Sequence, residues 1–559
     1  MHRALVSLIA LVALGCGGAT APPPSPARLA EVPSLSESVE PAAESITILG
    51  TADLHGHMER LPLLAGYIEA VRASGPTVLV DAGDMWQGTL ASNLGEGAAV
   101  VAAYGALRYD AATIGNHEFD YGPVGPSATC IADGDEPRGA LLARTAEAEF
   151  AVLAANIRGA DGAPIAWPNV QPSVMFERSG IQIGVLGLTT ADTLGTTIAS
   201  NVAGLEIEPL ADATQREAQT LRDAGAQVVV VTAHAGGECT EFTDATDLSS
   251  CDNESEIFEL ARALPVGLVD VIVAGHTHKA IAHEVNGVAI ISSWALGRAF
   301  GRVDLRLDHG RVVERHLHPP TDLCETPPCE YGGGTVRESE AIREVVAPAL
   351  AAAAERLAEP LGPTLDEPFL RSYSSESSAG NLLTDALSAL RPDADGALLN
   401  AGGVRASFPA GPLTYGALYE VFPFDNLFAT VRIRADQLAS VIASNAGSSG
   451  GTLILGKLRA RVQCGRQGMN VRILDSRGRP IPNGRVLTIT TSDYLATTSV
   501  FSSLPGVEVN VETNGPLMRE GIANWFRAQE SASLSPTQYL DEDSPRISIP
   551  GPRPFRCAR

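Results

Sequence analysis

Five short apolar runs, at 46–49, 78–80, 111–114, 228–231 and 269–273, each give way within a few residues to side chains of metal-binding type. The first leads into Asp53-Leu54-His55 and the second into Asp81-Ala82-Gly83-Asp84. The third meets Gly115-Asn116-His117-Glu118-Phe119-Asp120, the fourth Thr232-Ala233-His234 and the fifth Gly275-His276-Thr277-His278. Runs this short have the length of buried strands, and polar groups at their ends emerge where strand becomes loop. Helical patterns such as 63–72 and 210–224 lie between them, and strands alternating with helices indicate an α/β domain.

The strand ends carry seven candidate ligands: Asp53, His55, Asp84, Asn116, His234, His276 and His278. Carboxylate, imidazole and amide together suit Zn²⁺, Mn²⁺ or Fe²⁺, and seven ligands are too many for one tetrahedral site. Two divalent ions sharing one bridging carboxylate is the economical arrangement. Each motif is weak alone, whereas their joint occurrence at the ends of apolar runs is specific. The series Asp53-x-His55, Gly83-Asp84, 115–118, His234 and Gly275-His276-x-His278 resembles the calcineurin-like metallophosphoesterases. The longer form 115–120, with a second region behind it, resembles the 5'-nucleotidase and UDP-sugar hydrolase branch.

That resemblance implies an α/β (α+β) fold, with a two-sheet sandwich flanked by helices. It places Asp53, His55, Asp84 and His278 around one ion and Asp84, Asn116, His234 and His276 around the other, with Asp84 bridging. Paired cations of this kind activate water and hold phosphoryl oxygens for in-line attack. His117 would donate to the transferring phosphoryl or leaving oxygen, and Asp120 would orient its ring and keep it protonated. His57 and Asp81, beside ligands, read as supporting hydrogen-bonders. His283, His309, His316 and His318 fit no motif and are expected on the surface.

At 559 residues two large domains are expected. The formal net charge of -25 argues against nucleic-acid polymers and anionic lipid surfaces as partners. A small anion can still bind where metal ions and a few arginines supply local positive charge. Positions 1–16 read as a lipoprotein-type signal peptide: a basic start, an apolar run too short to span a bilayer, and Ala13-Leu14-Gly15-Cys16, which resembles a bacterial lipobox with Cys16 lipidated. The protein is therefore expected to be exported and anchored to the cell envelope through that lipid alone. Positions 17–45, rich in Pro, Ala, Ser and Glu, form a tether. The other cysteines suggest local disulfides, Cys239 with Cys251, Cys324 with Cys329 and Cys464 with Cys557, leaving Cys130 unpaired; the sequence does not fix this connectivity.

The metallophosphoesterase domain is placed at 46–318, a linker loop and helix at 319–362, and a second, smaller α/β substrate-binding domain at 363–559. The linker helix, 336–361, contains Pro348, where it is expected to bend. Helices are read at 381–390 and 435–444, strands at 428–433 and 485–491, and a last helix from Gly515-Pro516 to about 528. The resemblance continues through Ala379-Gly380-Asn381, Asn400-Ala401-Gly402-Gly403-Val404-Arg405 and Phe422-Pro423-Phe424-Asp425. It implies that Asn400, Gly402, Gly403 and Arg405 approach phosphate or ribose, and that Phe424 and Tyr494 sandwich a base. Two departures bear on substrate: 497–501 is Thr-Thr-Ser-Val-Phe where relatives carry Gly-Gly-Asp-Gly, and Ser375 stands where many carry Arg.

The expected reaction is two-metal hydrolysis of nucleoside 5'-monophosphates to nucleoside and phosphate. Alternatives are a nucleotide-sugar or 2',3'-cyclic-nucleotide phosphodiesterase, a thiosulfohydrolase-like sulfur-ester hydrolase, or a silent nucleotide-binding surface lipoprotein. The complete ligand set with His117 argues against silence.

Overall fold

The computed structural model describes residues 44–557, apart from 126–127, 131–133, 466–467, 514 and 530–531. Cys16 and positions 17–43 of the expected tether lie outside these residues. The first strand, Glu44–Thr51, takes in the last two tether positions.

Two sheets form the first half. In one, Glu44–Thr51, Thr77–Asp81, Ala111–Thr113 and Ala151–Leu153 run parallel in that order, Ala299–Asp308 pairs antiparallel with Glu44–Thr51, and Arg311–Asp322 pairs antiparallel with Ala299–Asp308 at the edge. In the other, Val228–His234 lies parallel between Ile181–Thr189 and Val271–Ala274. Strands buried on both faces read as unbroken apolar runs, and Thr77–Asp81 and Val228–His234 are buried at every position. The sheets face each other across Ile46, Ile48, Val78, Val80, Val230 and Val273. Each such side chain contributes about 1.5–3 kcal/mol on full burial. The approach is close enough that a Cβ on Gly50 would lie 2.4 Å from Val273 Cγ1.

Helices cover the outer faces. Leu61–Arg72, with Pro62 in its first turn, and Ala98–Leu107 pack on the first sheet, Leu210–Asp223 and Glu256–Ala263 on the second. The resulting layers are helix, sheet, sheet, helix, as the resemblance implied.

The expected linker helix runs Glu340–Ala358, and Pro348 sits inside it without ending it. It packs on Leu61–Arg72 and Ala98–Leu107 from the first half and on Tyr415–Val421 from the second, so it braces the two through Ile342, Val346 and Ala353 while its other face is exposed. The second half centres on a five-stranded sheet of Leu453–Gly456, Gly396–Asn400, Val486–Ser492, Phe428–Arg434 and Glu508–Val511. Ser378–Leu390 and Ala435–Ala446 pack on it. The last helix is Met518–Arg527, so Pro516 precedes it and does not open it.

The three suggested disulfides are all formed, and Cys130 is free. His283 departs from expectation: it lies in Ala280–Val285 and is 1% exposed, because the strand turns it toward the Cys239–Cys251 bridge. His318 is partly covered, with Nε2 2.8 Å from Asp304 Oδ2.

Candidate metal centre

All five ligand-bearing strands end on one edge of the sandwich, and their loops are laced together there. Asp53 N donates to Gly83 O and His55 N to Asp84 O, both at 2.9 Å, while His276 N donates to Asp53 Oδ1 at 3.0 Å. Five of the seven candidate ligands sit in the left-handed region: Asp53 at φ 54°, His55 at 49°, Asp84 at 56°, His276 at 75° and His278 at 56°. For non-glycine residues this costs of order 1–3 kcal/mol each and persists where the surroundings impose it, as at functional sites. The turns aim consecutive strand ends inward instead of onward.

Two groups result. Asp53, His55 and His278 form one; Asp84, His234 and His276 form the other. Asn116 belongs with the second, its Oδ1 2.9 Å from His234 Nε2 and 3.1 Å from His276 Nδ1. Asp84 joins the groups through a single atom: Oδ2 is 3.2 Å from His234 Nε2 and 3.7 Å from His55 Nε2. All seven predicted ligands are thus gathered in the two groups.

The donor set fits divalent cations. His55 Nδ1 donates to Gln87 O at 2.8 Å, which turns its Nε2 inward as a lone pair, and His234 Nδ1 donates to Ala82 O at 2.9 Å, which aims its Nε2 at the centre. His55 Nε2 and His278 Nε2 lie 2.9 Å apart. Burial pushes His55 and His276 down to about 4, so both rings are neutral at neutral pH, as ligation requires. Burial also acts to lower His234, but Asp84 outweighs it and lifts that ring to about 9. Asp53 and Asp84 are buried with imidazoles as their only ion-pair partners among the described residues. Buried carboxylates so placed call for cationic charge.

His117 stands beside this centre with its side chain 32% exposed. Its Nδ1 lies 2.5 Å from Asp120 Oδ2, and Asp120 Oδ1 accepts from Thr197 Oγ1 at 2.6 Å. Burial acts to lower His117, yet Asp120 and then Asp84 more than reverse it and raise the ring to about 10. Its backbone N–H donates to Asp84 Oδ1 at 2.9 Å.

Some supporting residues escaped the sequence reading. Glu118, buried, accepts from Gly115 N at 2.7 Å, Asp84 N at 2.9 Å and Met85 N at 2.7 Å, tying two ligand loops together. It lay inside the motif, but nothing in a sequence says which backbone groups a carboxylate will cap. Thr197 had no signal. Asp81 does support the edge, accepting from Thr51 Oγ1, Tyr104 OH and Gly83 N. His57 does not: it pairs with Glu59 on the surface.

In the second half, Phe424 and Tyr494 are 40% and 63% exposed. They emerge at the same end of the antiparallel pair Phe428–Arg434 and Val486–Ser492, where Asp493 N donates to Leu427 O and Leu427 N to Asp493 Oδ1. The Arg405 guanidinium lies 5.8 Å over the Phe424 ring. Asn400 runs along the two glycines, 3.3 Å from a Cβ built on Gly402 and 3.4 Å from one on Gly403. An exposed aromatic not anticipated, Tyr373, lies against Gly402. Across 493–502 this chain forms the short helices Asp493–Thr497 and Ser499–Ser502, and Phe501 is fully buried.

The halves interlock next to the metal centre. Tyr419 OH donates to Gly88 O at 3.2 Å, one residue beyond the carbonyl that holds His55. Asn93 Nδ2 reaches Tyr419 OH at 3.3 Å, and Tyr121 OH donates to Asn93 Oδ1 at 3.0 Å. Arg519, 3% exposed, binds Asp425 and donates to Pro423 O, which fixes the loop carrying Phe424.

A two-group donor site at the strand-end edge of a two-sheet sandwich suits a pair of divalent cations, the cofactor of metal-dependent phosphoric ester hydrolases. Residues 46–280 match the calcineurin-like phosphoesterase family, and residues 360–501 match the 5'-nucleotidase C-terminal domain. Together these two matches take in both halves of the chain. It is 24% identical over 426 residues to Endonuclease YhcR of Bacillus subtilis, covering 75% of this chain but 32% of that protein. The chain thus spans about a third of that relative. A 5'-nucleotidase of Vibrio cholerae is 24% identical over 453 residues, 72% of this chain and 77% of the relative. The crystal structure of a 5'-nucleotidase precursor from Thermus thermophilus shares the fold, with a TM-score of 0.62, 21% identity, and coverage of 91% of this chain and 100% of that one.

Proposed function

We propose that this protein hydrolyses nucleoside 5'-monophosphates to nucleoside and phosphate. The observation that carries the reading is Asp84 Oδ2, one carboxylate oxygen set between two ligand groups beside a protonated imidazole. Asp53, His55, Asp84 and His278 would hold one divalent cation, and Asp84, Asn116, His234 and His276 the other. When bound, the cations supply activation of water and charge to hold phosphoryl oxygens. His117 acts as the acid. Asp120 occupies Nδ1, leaving Nε2–H to donate to the leaving 5'-oxygen as the P–O bond breaks, and Thr197 holds Asp120 in place. Asn400, Gly402, Gly403, Arg405, Phe424 and Tyr494 would hold the nucleoside, the exposed rings offering flat faces to a base.

With this goes the division into a catalytic domain at 46–318, a linker at 319–362 and a substrate domain at 363–559. Export with a lipid on Cys16 completes the reading; among the described residues no helix is long and apolar enough to cross a membrane. A substrate panel on metal-loaded protein tests the reaction. Nucleoside 5'-monophosphates should be turned over faster than nucleotide sugars, 2',3'-cyclic nucleotides or thiosulfonate esters; a preferred diester or sulfur ester would contradict it.

A further inference from the structure

Strands Leu458–Gly465 and Gly468–Asp475 form an antiparallel hairpin in the second half, with Ile547–Ser548 paired along its edge. Leu458, Ala460, Val462 and Ile473 face the core, so alternation puts Arg459, Arg461 and Arg472 on the outer face. The register sets Arg461 directly opposite Arg472. Like charges in that relation are destabilising. Neither guanidinium, nor that of Arg477 in the turn beyond, has a carboxylate or hydrogen-bond partner among the described residues. Nearby arginines do: Arg479 pairs with Asp475, Arg485 with Asp395 and Arg432 with Glu508. In a chain of net charge -25, carboxylates are not scarce.

Arg459, Arg461 and Arg477 line a cleft of about 340 Å³, walled opposite by Asp543, Ser544 and Ser548. The cleft is built rather than incidental. Arg459 Nη1 is fixed by the Ser544 carbonyl at 2.9 Å and its Oγ at 2.8 Å. Ser548 is in strand register with Arg461, and the Cys464–Cys557 disulfide ties the C-terminal segment to the hairpin. Three guanidiniums and three serines, Ser476, Ser544 and Ser548, against one carboxylate suit an oxyanion of several charges, since the planar fork of Arg takes phosphate oxygens in pairs. Same-face residues on a strand leave the backbone about 6.6 Å apart, and with Arg477 in the turn beyond, the cleft offers cationic groups to more than one phosphate.

We propose that this cleft is a second anion site, distinct from the metal centre, that takes an oligophosphate group such as diphosphate. Calorimetric titration of the metal-loaded full chain with pyrophosphate tests it, comparing wild type with Arg461→Ser/Arg472→Ser. The metal centre is common to both proteins. Wild type should take up one equivalent more than the variant, while both hydrolyse an aryl phosphate equally. Without anion the variant should melt higher than wild type, because the like-charge pair is gone; pyrophosphate should raise the melting temperature more in wild type. Arg477→Ser, in an exposed turn, should weaken the extra equivalent by about 10-fold, the loss of a charge-assisted hydrogen bond. Equal uptake by wild type and both variants would overturn the proposal. So would sedimentation of wild type, and not the variant, with phosphatidylglycerol vesicles while pyrophosphate uptake stays equal, for the occupant would then be a lipid headgroup.

Discussion

Asp84 and His117 divide the work between holding ions and moving a proton, and substitution should separate the two. His117→Ala is expected to lower kcat by roughly 10² to 10⁴ with metal content intact, because the ring works on the transition state. Asp120→Asn should cost less, since Asp84 also keeps the ring protonated. Kinetics alongside metal analysis checks both, and loss of metal from the His117 variant would mark it as a ligand. Gly115→Ala should disturb the centre without touching a ligand, because its Cβ would fall 2.2 Å from Asp84 Oδ1. Residue types at strand ends were enough to find these groups. The left-handed turns and the Glu118 clamp were not readable, since each depends on which backbone groups meet across loops.

Among the elements, the loop 422–427 joins substrate to fold. Phe424→Ala should raise KM more than it lowers kcat, since a remote stacking contact is equal in ground and transition states. If the aryl phosphate and the nucleotide respond alike, the ring is not a base platform. Asp425→Ala should lower stability by about 3–5 kcal/mol in thermal unfolding, because it strands the buried Arg519. Strands such as 428–433 and helices such as 435–444 were readable from periodicity to within a residue or two. The start of the last helix was not. Pro516 suits a first turn, but the chain stays extended to Leu517 and Met518 opens the helix.

For the whole molecule, layering followed from apolar runs alternating with helical patterns, whereas the interlock of the halves did not. Asn93 and Tyr419 are 326 residues apart and belong to no motif, so their meeting beside Gly88 is a product of packing alone. The brace Glu340–Ala358 likewise looked like a spacer because its Ala-rich sequence shows no single apolar stripe, yet Ile342, Val346 and Ala353 are buried. If Cys16 carries a lipid, Cys16→Ser should move the protein from membrane to soluble fractions; wild type already soluble would remove the anchor from the account. The central claim is a centre of two cations bridged by Asp84. Metal content per chain, measured against specific activity as chelated protein is reloaded, tests it most directly. The account predicts two ions per chain at full activity, with Asp84→Ala inactive and retaining neither tightly; full activity at one ion per chain would contradict it.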